Sequence, residues 1–221
     1  DAQWLNRMVE NLLSVTRFDG EQVAVKKTPT VLEELLDTVL VKFKKRCPDV
    51  PIQLELPEDF VMIPMDSMLI QQVLMNLLEN AALHAEGMTK LTLKVFTVGN
   101  RAVFEVTDNG CGIAREDVAT AFLRHATSKV REKDDLDAIL TLGFRGEALA
   151  SISAVSRVDL ITRTADCSIG THYSSEGGSD VEIEDAGCPL GTTITARDLF
   201  FNVPARMKFL KKDTAEGNSV A

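Results

Sequence analysis

The chain has 221 residues, 45% of them hydrophobic, enough for one large domain with a substantial core or one domain plus a short appendage. Its formal charge of −9, with acidic side chains outnumbering basic ones in both halves, excludes a generally cationic nucleic-acid-binding surface. No apolar run reaches the length of a membrane span and no signal-peptide pattern opens the chain, so no membrane contact is expected.

Residues 4–17 place Leu5, Met8, Val9, Leu12 and Leu13 on one stripe of an amphipathic helix. That stripe can pack on its own domain or pair with a second chain into a homodimer. The pattern begins mid-helix, as a piece cut from a longer protein would. Asp19-Gly20 breaks it, and residues 21–28 read as a strand. A helix is predicted over 31–45, with Leu32, Leu35, Leu36, Val39, Leu40 and Phe43 inward. Short strands follow at 52–56 and 61–64. Asp66 or Ser67 can cap a long helix over 68–84. Strands at 90–97 and 101–107 flank Gly99-Asn100, a hairpin signal.

Beyond Ile113 the pattern predicts a helix over 116–126, a charged stretch at 129–137 and a helix over 146–155. Strands follow near 157–163, 171–175, 181–184 and 192–197, and the last residues read as a frayed tail. This order implies a two-layer α+β sandwich. Cys47, Cys111, Cys167 and Cys188 form no Cys-x-x-Cys pair, which points to free thiols in a reducing, cytoplasmic compartment. The basic run Arg206, Lys208, Lys211 and Lys212 reads as a solvated end, leaving nucleic acid an unlikely partner.

Four motifs carry chemistry. Asn76 and Asn80 are one helical turn apart, so their amides face the same way. They fit a solvated face, and an amide oxygen also suits a magnesium ion that keeps waters and bridges phosphates. Asp108-Asn109-Gly110-Cys111-Gly112-Ile113 follows a strand; a strand-end carboxylate can accept a hydrogen bond from an adenine amine, and glycines let backbone approach the base. Thr127, Ser128 and Lys129 supply hydroxyl and ammonium donors. In Gly143-Phe144-Arg145-Gly146-Glu147-Ala148-Leu149, Gly146 precedes a helix whose N-terminal N–H groups can cradle phosphate, with Arg145 on phosphate or bracing the loop and Glu147 holding it. His84 and His125 read as packing or hydrogen-bonding residues, and nothing in the pattern gives His172, in a predicted strand, a functional role.

Together these motifs resemble the GHKL superfamily of ATP-binding domains. Residues 1–113 resemble the catalytic domain of sensor histidine kinases of the KdpD-like type, and 108–212 resemble the MutL-type mismatch-repair ATPases, as a recombinant joined near Asp108–Ile113 would. The resemblance implies a Bergerat-type sandwich with a mixed, mostly antiparallel sheet, binding ATP and Mg2+. It divides the chain into 1–18 (a remnant dimerisation helix), 19–212 (the ATP-binding domain) and 213–221 (a tail). It makes Asn80 the magnesium ligand and Asp108 the adenine reader, and it puts Thr192 or Thr193 beneath the adenine. It also sets a limit: MutL-type enzymes carry a general-base glutamate at the position of Asn76, and an amide cannot take that proton. Glu79 is a candidate substitute base, although it lies on another side of the helix and a structural role suits it better. The phospho-acceptor histidine of kinases is absent from the sequence. Leu83 matches neither the basic residue of the kinase pattern nor the aspartate of the MutL pattern. Weak or no ATP turnover is therefore expected, with a working ATPase or a kinase domain acting on a separate helix as alternatives.

Overall fold

A computed structural model of the chain describes residues 25–99, 101–123 and 148–202, and Thr28–Asn202 gather as one unit. Strand β1 (Thr28–Val31) pairs antiparallel with β3 (Met62–Met65) in a two-stranded sheet. The remaining strands form a seven-stranded sheet in the order β2-β4-β5-β9-β6-β7-β8. They are β2 (Ile52–Glu55), β4 (Leu91–Val98), β5 (Arg101–Asp108), β6 (Arg157–Arg163), β7 (Gly170–Glu176), β8 (Ser179–Ala186) and β9 (Gly191–Arg197). Only the β2–β4 pairing is parallel, so the sheet is mixed and mostly antiparallel as expected.

Alternation decides which face is covered. On β5, β6 and β9 the residues Phe104, Val106, Val158, Leu160, Ile194 and Ala196 are buried, while most of their strand neighbours on the other face, such as Glu105, Asp159 and Thr195, are half-exposed. Four described helices complete the fold: α1 (Leu32–Arg46), α2 (Ser67–His84), α3 (Arg115–Ala121) and α4 (Ala148–Val155).

In α1, Leu32, Leu35, Leu36, Val39 and Phe43 recur on one face and are buried. Glu33 and Glu34 in the first turn and Lys44, Lys45 and Arg46 in the last oppose the helix dipole. In α2 the Asp66 carboxylate accepts from the Leu69 N–H at 3.3 Å, so Asp66 is the cap. The Leu36 side chain is 0% exposed, and truncating it to Ala would cost about 2–5 kcal/mol.

Several predicted boundaries shift. β1 runs to Val31, and the helix after it starts at Leu32, whose N–H donates to Val61 O at 3.0 Å. Residues 21–24 of the predicted first strand lie outside the described residues, and the strand begins only at Thr28, because the pairing with β3 does not reach Lys26 and Lys27. The helix predicted over 116–126 ends at Ala121, because Phe122 turns aside to stack on Tyr173 with ring centroids 4.0 Å apart. Its residues 124–126 lie outside the described residues, as do the N-terminal stripe, the 129–137 stretch, His125 and the basic run from Arg206 to Lys212. No described helix is long and apolar enough to cross a membrane.

Candidate nucleotide site

A polar rung crosses three strands at one end of the sheet. Register sets Asp108 of β5 opposite Thr192 of β9, and Thr192 opposite Thr162 of β6. All three belong to the helix-side face and are buried, Thr162 completely. The Gly110 N–H donates to Asp108 Oδ1 at 2.9 Å. Burial pushes the Asp108 carboxyl above the ordinary carboxylate range, and the N–H groups of Gly110 and Thr192 offset part of that rise. The two candidate threonines separate: strand alternation sends Thr193 to the opposite face, where its Oγ1 lies 3.0 Å from Thr107 Oγ1. Thr192 is the one beside Asp108.

Glycines shape the loop that leaves the rung. Gly112 has φ +73°, and a Cβ there would lie 2.2 Å from the Arg163 carbonyl oxygen. That close approach delivers the Ile113 N–H to Thr162 Oγ1 at 2.8 Å. A Cβ on Gly110 would lie 2.6 Å from Ala85 Cβ, so the absence of a side chain lets the end of α2 close on the loop. Asn109 fastens the same junction: its Oδ1 accepts from the Thr89 and Lys90 N–H groups at 2.9 and 2.8 Å, and its Nδ2 donates to Thr89 Oγ1 at 2.9 Å. Cys111 Sγ donates to His84 O at 3.6 Å.

Helix α2 therefore ends against the Asp108 loop. Asn80 precedes His84 by four residues, about 6 Å along the axis. Asn76 and Asn80 are half-buried, and neither amide has a hydrogen-bond partner among the described residues. Buried Leu74, Leu77 and Leu78 hold the helix so that this amide pair stays presented. Glu79 does not join it. Its carboxylate forms an ion pair with Arg46 of α1, which ties the two helices together and agrees with the structural role that suits it better.

The other predicted site residues divide in two. Ala148 and Leu149 open α4, both half-buried, and α4 packs against α2. Thr127, Ser128, Lys129, Gly143, Phe144, Arg145, Gly146 and Glu147 lie outside the described residues. Thr162, which sequence reading passed over, lies in the same rung, and Asn109, named there only as part of the motif, fastens the loop. Thr162 had a signal: it is a polar residue in the inward stripe Val158, Leu160, Thr162. Two cavities among the described residues are lined by neither Asn80 nor Asp108. One of about 340 Å³ lies against Asp49, Pro51, Leu83, Glu86 and Met88, and one of about 90 Å³ against Ile113, Thr162, Arg163 and Asp185.

The fold is that of an ATP-binding domain: the family model of histidine kinase-, DNA gyrase B-, and HSP90-like ATPases matches residues 65–197, and the chain belongs to that family. Among curated proteins it is similar to the DNA mismatch repair protein MutL of Agathobacter rectalis, with 50% identity over 149 residues, 67% of this chain and 22% of that protein. The chain thus spans about a fifth of the length of that relative. Among solved structures it resembles the Acinetobacter baumannii histidine kinase AdeS, with TM-score 0.55 and 20% identity over 90% of this chain and 80% of that one. It also resembles full-length ShkA in complex with AMPPNP, with TM-score 0.57 and 18% identity over 91% and 36%. At those identities the kinases share the fold.

The residues present suit a magnesium ion of one kind only. No cluster of three or more His, Cys, Asp or Glu side chains among the described residues could hold a metal. An amide pair without partners among the described residues fits an ion that draws its remaining ligands from phosphate oxygens and water.

Proposed function

We propose that the chain is the ATP-binding domain of a mismatch-repair-type ATPase whose own residues restrict it to slow turnover. The buried Asp108–Thr192–Thr162 rung carries this reading, since it offers acceptors to an adenine amine at the foot of a glycine-shaped loop. Identity of 50% to a MutL protein supports the mismatch-repair type over the kinase type. We further read the sequence to about residue 113 as kinase-like and that from about 108 as MutL-like, joined at the shared Asp108–Ile113 motif.

In this reading Asp108 accepts from the adenine amine and Thr192 lies beneath the base. Asn80 holds magnesium through its amide oxygen, assisted by Asn76. When bound, the ion neutralises phosphate charge and orients the phosphates. The limit on chemistry comes from this chain's residues. Asn76 cannot accept a proton from an attacking water, and the Glu79 carboxylate is engaged by Arg46.

Calorimetric titration with a non-hydrolysable ATP analogue and magnesium tests the reading. Wild-type protein binds; Asn80→Ala weakens magnesium-dependent affinity by about tenfold, the worth of one contact to a charged group. Equal affinity of the two proteins in magnesium removes Asn80 from the site. Rapid hydrolysis by wild-type protein contradicts the slow-turnover reading.

A further inference from the structure

We infer that Thr162 is a positioning residue that locks the Thr192 hydroxyl as a hydrogen-bond acceptor, so that the site selects a 6-amino purine over a 6-oxo purine. The inference rests on the proposed ATP site and adds a residue and a proton assignment to it.

The assignment follows from counting protons. A threonine hydroxyl has one proton to give and two lone pairs to receive with. Thr162 Oγ1 has three neighbours: the Ile113 N–H at 2.8 Å, Gly191 O at 3.1 Å and Thr192 Oγ1 at 3.0 Å. The amide can only donate and the carbonyl can only accept. Thr162 therefore gives its single proton to Gly191 O. The contact between the two hydroxyl oxygens must then be bridged by the proton of Thr192. Thr162 is saturated by this arrangement, and its side chain is 0% exposed. Thr192, its proton committed, offers the site only lone pairs.

Directly opposite stands Asp108, whose ionised carboxylate is also an acceptor. Two acceptors facing one ring edge match an exocyclic amine. They meet a 6-carbonyl oxygen lone pair to lone pair. A hydroxyl free to rotate would serve either edge, so the discrimination depends on the lock behind Thr192 as well as on Asp108.

The experiment is competition calorimetry with ATP and ITP, both with magnesium. Thr162→Val keeps the shape, removes the lock and frees the Thr192 proton; the ATP-to-ITP affinity ratio falls by about threefold to tenfold, the range set by one hydrogen bond. Thr162→Ser restores the wild-type ratio. An unchanged ratio in folded Thr162→Val overturns the inference. If that variant does not fold, Thr192→Val removes the acceptor while sparing the Ile113 and Gly191 bonds. It should lower the ratio by a similar factor, and an unchanged ratio overturns the inference equally. Asp108→Asn separates this from the underlying reading. If Asp108→Asn binds ATP as wild type does, the nucleotide site itself is wrong. If it loses ATP while Thr162→Val keeps its ratio, only the lock is wrong.

Discussion

Replacing Gly112 by Ala tests how the loop is held. Gly112 sits at φ +73°, where an L side chain costs about 1–2 kcal/mol. The added Cβ would also lie 2.2 Å from Arg163 O and 2.6 Å from Arg163 C, both backbone atoms of a paired central strand that cannot swing aside. The loop must therefore retreat by roughly an ångström, which breaks the Ile113 N–H bond to Thr162, worth about 1 kcal/mol. The sum of about 2–3 kcal/mol lowers ATP affinity by on the order of 30- to 150-fold if loop position and nucleotide binding are one event. Gly87→Ala is the matched control, because Gly87 has φ +72° and nothing within 4 Å of its would-be Cβ. It carries the conformational cost without the collision and lies outside the rung. Thermal melts and calorimetry on both variants measure the two contributions apart. If Gly112→Ala binds ATP like wild type and melts no lower than Gly87→Ala, the account of the loop is refuted.

Asn76→Glu supplies the missing base and should raise ATP hydrolysis at least about tenfold in a phosphate-release assay; no increase removes Asn76 as the limit on turnover. Glu79→Gln breaks the pair with Arg46 and should cost at most about 1 kcal/mol in a denaturant melt, with hydrolysis unchanged; a loss of hydrolysis would return Glu79 to the chemistry. His172, held between Glu184 and Asp159, has its pKa raised above 6.5 by the hydrogen bond to Glu184 first, then by Asp159. Its contribution to stability is full below pH 6.5 and is lost as pH rises through the higher folded value, so melts across that window should show a decline that His172→Gln flattens. The Asp108 carboxyl, raised by burial, must be ionised to accept from an amine. ATP affinity should therefore fall as pH is lowered towards the acid range, beginning above the ordinary pKa of 3.8, and Asp108→Asn should abolish that dependence.

Much of the architecture was legible in the chain because burial follows period. The stripe Leu32, Leu35, Leu36, Val39 and Phe43 could only be a helix face, and the span 157–163 alternates so cleanly that β6 fell where it was expected. The asparagine pair and the Asp108 loop were found by residue type and spacing. What could not be read was set by partners distant in sequence. Phe122 ends its helix because of Tyr173, and Glu79 is neutralised by Arg46. Which threonine faces Asp108 depends on the register of β5 against β9, and the part played by Thr162 depends on a third strand. Local pattern carries none of these pairings.

The claim that adenine sits on the Asp108–Thr192–Thr162 rung is tested most directly by amide chemical shifts of isotopically labelled protein titrated with ATP and magnesium. The account predicts that the Gly110, Ile113 and Thr192 signals move together with one saturating dissociation constant, and that Asp108→Asn removes the response. Shifts confined to Val50, Leu83 and Met88 around the 340 Å³ cavity, with the rung silent, would contradict it.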